Sequence, residues 1–421
     1  MDVIVDRCVG IDLSKADAKV CLRTPGGRRD QQVRTYSTMT AGLHALADWL
    51  VCEQVELVVI EATSSYWFSI YEVLEDRGLS VQIVNPRQFK NTPGRRKSDV
   101  IDCVWLCKLA ECGLLSPSFV PPKDIRRLRQ LTRYRSALIT ARGSESQRLE
   151  KLLDSAGIKL SVVATDLLGV SCRQMVQAMI DGQRSAKQLA QLAKGRMRPK
   201  IGLLEQALDG RFSDHHALLA QKMLDRIEDL DADIAALDTE VRRASQPYHD
   251  QIRRLADIDG VGQHGAEVIL AEVGADMSCF PTPANLVSWA KRCPSINQSG
   301  ARSKPAATGH GNKHLAQQLG NSARAAAKTR SFLGSKYRRV AKRRGKLKAE
   351  VAVSNAMLTI IWHILSDPQA RYIDLGADWH DRRVDKDAQT RRLVSQLERL
   401  GHQVTLQPAT PEPPALPAQA A

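Results

Sequence analysis

The order of strand and helix signals near the N-terminus limits the fold more than any other feature. The sequence predicts strands over residues 3–13, 18–23 and 31–37, with a Pro25-Gly26-Gly27 turn after the second. Leu57-Val58-Val59-Ile60 is continuously apolar, as in a strand that is buried on both faces. The chain therefore begins with antiparallel strands and continues with a strand that other elements must cover.

Helical apolar spacing follows and alternates with one more short strand. Residues 41–52, 66–77 and 99–112 have the spacing of helices, and residues 81–84 form a fifth predicted strand. The order β-β-β-α-β-α-β-α is that of the ribonuclease-H-like nuclease fold, a mixed sheet with helices on its faces. We therefore predict an α/β domain over residues 1–122.

The middle of the chain, residues 123–250, is predicted to be mostly helical. Residues 123–153 indicate one long, arginine-rich helix. Farther on, apolar residues recur at alternating spacings of four and three, at Met223, Ile227, Leu230, Ile234, Leu237 and Val241. Such a heptad seam is typical of coiled-coil packing, within the chain or between two copies, and a plain amphipathic helix is the alternative.

The charge of the chain is concentrated in a mostly helical C-terminal domain, predicted over residues 251–366. Residues 277–349 contain sixteen Lys or Arg and no Asp or Glu, against a net charge of +15 for all 421 residues. Solvated helix faces normally mix both signs, so this stretch indicates a surface that faces phosphates. Residues 367–421 form a tail that becomes Pro- and Ala-rich, and we expect it to be partly disordered.

Composition argues against several other classes of protein. The nine cysteines form no CxxC pair, so we expect reduced thiols rather than a zinc knuckle. The first residues lack the basic start and apolar run of a signal peptide. No stretch approaches about 20 apolar residues. We expect a cytoplasmic protein with no membrane span.

Four carboxylates are candidate metal ligands because of where the predicted elements place them. Asp12 ends the first strand, Glu61 ends the fourth, and Asp99 and Asp102 lie three residues apart at the start of a helix. These ends are neighbours in a ribonuclease-H-like sheet, and clustered carboxylates repel unless a cation lies between them. Mg²⁺ prefers such ligands and assists phosphoryl transfer. For any single acid, and for Asp99 above all, an exposed charge or a helix cap is the alternative.

Three loop segments are candidate contacts to nucleic acid. Arg95-Arg96-Lys97 directly precedes the second acid pair and suits a loop that meets a phosphate backbone. Gly260-Val261-Gly262 resembles the turn of helix-hairpin-helix modules, where glycines let N–H groups approach a phosphate, although an ordinary turn would look the same. Gln298-Ser299-Gly300 lies in a turn-rich loop, where serine is usually a turn former. Basic residues follow it at Arg302, Lys304 and Lys313.

These motifs together resemble those of the DEDD-type insertion-sequence transposases, the group described as bridge-RNA-guided recombinases. The N-terminal part of the resemblance rests on Val9-Gly10-Ile11-Asp12, Ile60-Glu61-Ala62-Thr63, Val84-Asn85-Pro86 and Lys97-Ser98-Asp99-Val100-Ile101-Asp102. The C-terminal part rests on Gly260-Val261-Gly262, Ala271-Glu272-Val273-Gly274, Gln298-Ser299-Gly300 and Gly311-Asn312-Lys313. The resemblance covers nearly the whole chain.

The resemblance implies a Holliday-junction-resolvase-like (RuvC-like) N-terminal domain, a middle region with a coiled coil, and a C-terminal transposase domain. The family's acidic tetrad falls on Asp12, Glu61, Asp99 and Asp102, and its catalytic serine on Ser299. Donor and target DNA and a structured non-coding RNA are the implied partners. We expect a homo-oligomer, because recombination must hold two duplexes. The arginine-rich helix is the expected docking surface for RNA, through Arg126, Arg129 and Arg133.

Two other functions fit part of the pattern. A Holliday-junction-resolvase-like, metal-dependent nuclease would need the acidic cluster but would have no use for Ser299. A non-catalytic nucleic-acid-binding protein would keep the basic C-terminal domain and would tolerate the loss of Asp12 or Asp102.

Overall fold

The structure is a computed structural model that describes residues 3–25, 30–86, 98–295, 298–300, 302–303, 307–382 and 386–407. The chain divides into two compact units, residues 1–122 and residues 123–421. The finer division of the second unit into a middle region, a C-terminal domain and a tail stays a prediction. Most of the Pro-Gly-Gly turn and the end of the tail, from residue 408, lie outside the described residues.

The first unit is built on a mixed sheet. Its strands are β1 (Cys8–Leu13), β2 (Asp17–Thr24), β3 (Asp30–Ser37), β4 (Leu57–Glu61), β5 (Val81–Val84) and β6 (Pro117–Ser118), in the spatial order β3-β2-β1-β4-β5-β6. Strand β1 pairs antiparallel with β2 and parallel with β4, which pairs parallel with β5. This is the strand order of a RuvC-like, ribonuclease-H-like sheet, so the predicted fold class is confirmed.

Helices cover both faces of this sheet. They are α1 (Thr40–Cys52), α2 (Trp67–Asp76) and α3 (Asp99–Glu111). Residues Val58 and Ile60 pack in the core that α1 and α2 share, whereas Val59 packs in the core of α3. Strand β4 is therefore buried on both faces, as its unbroken apolar run predicted.

The predicted first strand begins too early. Strand β1 starts at Cys8 rather than at residue 3, because the backbone N–H groups of Ile4 and Val5 donate to the carbonyl of Glu111 at 2.9 and 3.3 Å. These residues are thus tied to the end of α3 and do not join the sheet. The short apolar run Val3-Ile4-Val5 could not distinguish these two arrangements.

Close packing of α3 on β1 depends on Gly10. A Cβ atom at this position would lie 2.5 Å from the carbonyl oxygen of Cys103 and 2.5 Å from the backbone nitrogen of Cys107. Both contacts are to helix backbone, which cannot move aside cheaply. The glycine therefore sets the depth at which α3, with its two acidic residues, lies against the sheet.

The second unit is almost entirely helical, as predicted. Its helices are α4 (Lys123–Ser155), α5 (Leu160–Val163), α6 (Val170–Ile180), α7 (Ala186–Ala190), α8 (Ile201–Ala207), α9 (Asp214–Ser245), α10 (His249–Ala256), α11 (Gly262–Val273), α12 (Pro283–Trp289), α13 (Lys313–Ala326), α14 (Phe332–Arg344), α15 (Lys346–Ser366), α16 (Trp379–Arg382) and α17 (Lys386–Arg399). Short 3₁₀ helices span Gly195–Lys200 and Gln246–Tyr248. A small hairpin of β7 (Gln298–Ser299) and β8 (Arg302–Ser303) interrupts the helices.

The heptad seam lies on α9, which packs along α4 of the same chain. The two helices run antiparallel, since Arg135 pairs with Asp238 and Arg142, farther along α4, pairs with the earlier Asp231. Three seam residues are fully buried, namely Ile227, Leu230 and Val241. Of the arrangements that the spacing allowed, the structure shows a helix pair within one chain.

Helix α15 is long and apolar enough to cross a membrane when judged by length and composition alone, a feature that the sequence analysis did not expect. In the folded unit it packs against α12, α13 and α14. Its residues Val353, Met357, Leu358 and Ile361 are fully buried. A central helix of a folded core has the same composition, so this pattern is weak evidence for a membrane span.

Candidate active site

Three of the four predicted acids line one cavity in the first unit. The cavity encloses about 340 Å³ and is lined by Asp12, Leu13, Ser14, Asp17, Lys19, Thr63, Ser98, Asp99 and Asp102. It lies at the turn between β1 and β2 and at the N-terminus of α3. The fold thus brings Asp12 close to Asp99 and Asp102, which lie far from it in the sequence.

The pair on α3 is presented by a well-formed helix start. Ser98 is the N-cap, and its hydroxyl accepts a hydrogen bond from the backbone N–H of Ile101 at 3.2 Å. Asp99 and Asp102 both lie in the first turn, where the helix dipole stabilises negative charge. Asp99 is exposed, while Asp102 is only 8% exposed. The capping role that was an alternative for Asp99 is taken by Ser98.

Glu61 lies beside Asp12, at the carboxyl ends of the neighbouring central strands β4 and β1. Ile11 is aligned with Ile60 in the parallel pairing of β1 and β4, so the next residues on the two strands are neighbours. The Glu61 side chain is 2% exposed and accepts a hydrogen bond from the hydroxyl of Thr63 at 3.2 Å. Thr63 lines the acidic cavity, although Glu61 is not among its lining residues.

The donor chemistry of this cluster fits a hard divalent cation, because every candidate ligand is a carboxylate. Within the residues that the structure describes, no group of three or more His, Cys, Asp and Glu side chains is arranged closely enough to hold an ion. Asp12, Asp99 and Asp102 therefore share a cavity without forming a closed ligand set, and the metal-binding tetrad stays a prediction.

A basic side chain that the sequence analysis missed also faces this cavity. Lys19 donates from Nζ to Asp17 Oδ2 at 3.0 Å and to Thr35 Oγ1 at 3.1 Å. The Ser14 hydroxyl donates to Asp17 Oδ1 at 2.5 Å. This hydrogen bond and that from Lys19 lower the pKa of Asp17 below its ordinary value. The signal was available in the sequence, since β1 and β2 form a hairpin in which Lys19 pairs with Asp12.

The loop that contains Ser299 is a small hairpin. Strands β7 and β8 pair with Ser299 opposite Arg302, and Gly300 has a φ of 56° at the turn. The base of the loop is closed by a bridge between Pro294 and Thr308. The hairpin belongs to the second unit, whereas the acidic cavity belongs to the first. The role of Ser299 stays a prediction.

Several predicted contacts to nucleic acid lie outside the described residues, namely Arg95, Arg96, Lys97 and Lys304. Arg302 and Lys313 are described, and both are exposed. Lys313 is the first residue of α13, directly after its N-cap Asn312. These two residues are therefore accessible to a phosphate, as expected of contacts to DNA.

The glycine turn has a packing role at its first residue. Gly260 has a φ of 85°, and a Cβ there would lie 2.4 Å from the carbonyl oxygen of Ser322 and 2.6 Å from the nitrogen of Ala326. The turn is thus pressed against α13, which explains this glycine without a phosphate. Gly262 faces open space, and at that position a contact to nucleic acid stays a prediction.

Three arginines near the start of α4 are buried or bound within the second unit, whereas Arg127 is exposed. Arg126 is 4% exposed. Arg129 donates to the carbonyls of Ala271 and Glu272 at 2.9 Å each. Arg133 forms a two-point ion pair with Glu272 at 2.7 and 2.8 Å. Arg129 and Arg133 thus bind the protein itself in this structure, and the RNA-docking surface stays a prediction.

A different basic surface is exposed around the turn between α14 and α15. Its six exposed side chains, which we call the α14–α15 basic surface, are Arg339, Lys342, Arg343, Arg344, Lys346 and Lys348. They come from the stretch that has no acidic residue. Exposed like charges of this density repel one another unless a polyanion is bound, so the surface is a candidate DNA interface.

The affinity of the full chain for duplex DNA should therefore fall steeply with salt. Replacing Arg343 and Arg344 by Gln should lower the slope of log affinity against log salt by about 2, because each phosphate contact contributes about 0.9. Titrations at several salt concentrations measure this slope. The matched control replaces Arg391 and Arg392, an exposed pair on α17. Equal effects of the two double substitutions would count against the surface.

Comparison with known proteins matches two parts of the chain to transposase family models. A DEDD-type transposase model of the IS110 group matches residues 9–158, and the transposase model of the IS116/IS110/IS902 family matches residues 252–338. Two solved structures of Thermus thermophilus RuvC are 13% identical over 27% of this chain and 99% of theirs, with TM-scores of 0.22 and 0.21. One of them contains a Holliday junction substrate. No curated protein matches the chain.

The two family matches define an enzyme that acts on DNA, a DNA transposase or recombinase. The two transposase matches together span more than half of the 421 residues. The chain belongs to the IS110-type transposase family. The family resemblance inferred from the sequence motifs is thereby confirmed. The substrate of this enzyme is DNA.

Proposed function

We propose that the chain cuts and rejoins DNA strands with two cooperating parts, a carboxylate-bound Mg²⁺ site and a nucleophilic serine. The observation that carries the proposal is the shared cavity of Asp12, Asp99 and Asp102, beside which Glu61 ends β4. When bound, Mg²⁺ would polarise the phosphate and help to deprotonate a hydroxyl. The four carboxylates would hold this ion.

Ser299 supplies the hydroxyl in the proposed reaction. Its Oγ attacks a backbone phosphorus atom, the P–O bond to one DNA strand breaks, and the departing oxygen takes up a proton. The seryl phosphodiester keeps the energy of the broken linkage, so a hydroxyl of another strand can displace the serine later without further input. Arg302 and Lys313, both exposed, support this assignment because they can offset the charge of the phosphate.

We further propose a structured non-coding RNA as partner and a homo-oligomer as the working form, in the cytoplasm. Recombination must hold two duplexes, which favours a symmetric assembly. Because the heptad seam of α9 is used within the chain, the contact between copies lies on another surface. Light scattering of the protein purified from its host, with the RNA content determined, tests both points. A monomer without enriched RNA would contradict them.

Recombination between two plasmids, each carrying the DNA that flanks the gene, tests the proposed reaction. Wild-type protein should give recombinant plasmids, and Ser299→Ala should give none while binding DNA as tightly. The matched control is Ser295→Ala, at the base of the same loop. If Ser299→Ala still nicks DNA, then the chain acts as a resolvase-like nuclease. If Asp12→Asn recombines normally, the acidic site is not catalytic.

A further inference from the structure

Lys19 lies beside the first candidate metal ligand. The antiparallel register of β1 and β2 pairs Lys19 with Asp12. Side chains of directly opposed residues in such a pair lie on the same face of the sheet. Both residues line the acidic cavity. A fixed positive charge is therefore built into the site at the same strand position as its first acid.

The position of the Lys19 ammonium is determined by its neighbours. Its Nζ atom donates to Asp17 at 3.0 Å and to Thr35 at 3.1 Å, and Thr35 is its partner on β3. Asp17 is fixed in turn by Ser14, which donates to its carboxylate and accepts from its backbone N–H at 3.0 Å. The Lys19 side chain is 23% exposed. It is thus held in place and still accessible from the cavity.

The charge of the cavity creates a need for such a group. Among the described side chains that line it, four are acidic, namely Asp12, Asp17, Asp99 and Asp102, and Lys19 is the one basic residue. A DNA phosphate is an anion, which these acids repel. An ammonium has three N–H donors, and the described chain supplies acceptors for two of those on Lys19. One donor remains for a ligand.

We propose that Lys19 binds the DNA phosphate that is cut, donating its third N–H to a non-bridging oxygen. The inference rests on the proposed function, since it places that phosphate at the acidic cavity. Lys19 offsets the repulsion between the phosphate and the acids. It also stabilises the additional negative charge on the phosphate oxygens as the new P–O bond forms.

Three variants of the full chain test this role. Lys19→Gln removes the charge, Lys19→Arg keeps it, and Lys15→Gln is the matched control, because Lys15 is an exposed lysine of the same turn that does not line the cavity. In single-turnover cleavage of the flanking DNA, Lys19→Gln should be slower by about 10²-fold. Lys19→Arg should recover most of the rate, and Lys15→Gln should stay within about twofold.

A second measurement does not depend on cleavage. Without DNA, the positive charge of Lys19 opposes the binding of a cation to the acids. Lys19→Gln should therefore bind Mn²⁺ more tightly, by a factor on the order of ten, as followed by electron paramagnetic resonance. Lys19→Arg should bind Mn²⁺ like the wild type. A merely structural role would not tighten Mn²⁺ binding, and it would not be rescued by Arg.

The outcomes separate this inference from the proposed function. If Asp102→Asn is inactive but Lys19→Gln cleaves at the wild-type rate, the role of Lys19 is overturned and the acidic site stands. If Lys19→Gln and Lys15→Gln slow cleavage equally, general charge attraction explains both, and the role is overturned as well. If Asp102→Asn cleaves normally, the proposed function itself fails. Should Lys19→Gln not fold, Lys19→Met replaces it, because it removes the charge and keeps an unbranched side chain. Wild-type cleavage by Lys19→Met would overturn the role.

Discussion

Asp102→Asn is expected to reduce DNA strand cleavage by about 10³-fold or more, while the chain stays folded. Asp102 is 8% exposed and shares its cavity with Asp12 and Asp99. The amide of asparagine has the same shape as the carboxylate but carries no charge, so it is a poor ligand for Mg²⁺. Single-turnover cleavage at saturating protein measures this loss.

Thermal unfolding distinguishes a lost metal ligand from a damaged fold. Without Mg²⁺, removing one of several clustered negative charges relieves repulsion, so Asp102→Asn should unfold at the same or a higher temperature. With Mg²⁺, the wild type should be stabilised because the ion binds the folded state, and the variant should lose this gain. The control is Glu56→Gln, an exposed acid of the same unit. A variant that cleaves normally, or one that unfolds much earlier, would contradict the assignment.

Glu272→Gln is expected to destabilise the second unit by about 3–5 kcal/mol, because it breaks a buried ion cluster from one side. Glu272 on α11 is 0% exposed. Its carboxylate pairs with Arg129 and Arg133 of α4 and accepts from Asn312 Nδ2 at 2.5 Å. Asn312 also caps α13. One carboxylate thus connects three helices, and its loss removes the negative charge that Arg129 and Arg133 both approach.

Denaturant unfolding followed by circular dichroism measures this destabilisation. The matched control is Glu240→Gln, which breaks the exposed ion pair with Arg243 on α9 and should cost less than about 1 kcal/mol. Equal effects of the two substitutions would mean that the buried cluster contributes no more than a surface pair.

The same cluster makes the stability of the second unit depend on pH in the acidic range. Burial alone would raise the pKa of Glu272, but the hydrogen bond and charge of Arg133, the charge of Arg129 and the Asn312 amide outweigh it. The pKa of Glu272 in the folded unit therefore lies below its ordinary value of 4.5. Its contribution to stability is fully present above that value and is lost as the pH falls through the lower, folded pKa. Glu272→Gln should lack this part of the acid sensitivity.

The sheet was predictable from the sequence because its strands have a local signature. The alternation of residues 18–23 and the unbroken apolar run before Glu61 show which faces are buried without knowledge of the partners. Once the order of elements was known, the ends of β1 and β4 and the start of α3 had to be neighbours. The placement of Asp12 and Asp102 in one cavity follows from that order.

The cluster of Glu272 with Arg129 and Arg133 was not predictable, because the two arginines are far from Glu272 in the sequence. Arg129 and Glu272 are separated by 143 residues, and no local pattern links them. An arginine-rich helix normally indicates a solvated or phosphate-binding face. Here Arg129 instead forms hydrogen bonds with α11, where burial lowers its pKa to about 10, so that it stays charged at neutral pH.

Gly260 shows the same limit on a smaller scale. Its positive φ was foreseeable from a GxG turn, but its purpose depends on α13, which begins about fifty residues later. The missing Cβ leaves room for the backbone of that helix. Spacing alone cannot separate this packing role from contact with a phosphate.

Capture of a protein–DNA adduct tests the account most directly. DNA from the flanks of the gene is incubated with the full chain and Mg²⁺, the reaction is stopped with denaturant, and the peptide joined to DNA is identified by mass spectrometry. We predict a phosphodiester at Ser299, an adduct that Ser299→Ala cannot form and that Asp102→Asn forms at least about 10³-fold more slowly. Cleaved DNA with free ends and no attached peptide, or an adduct at another residue, would contradict it.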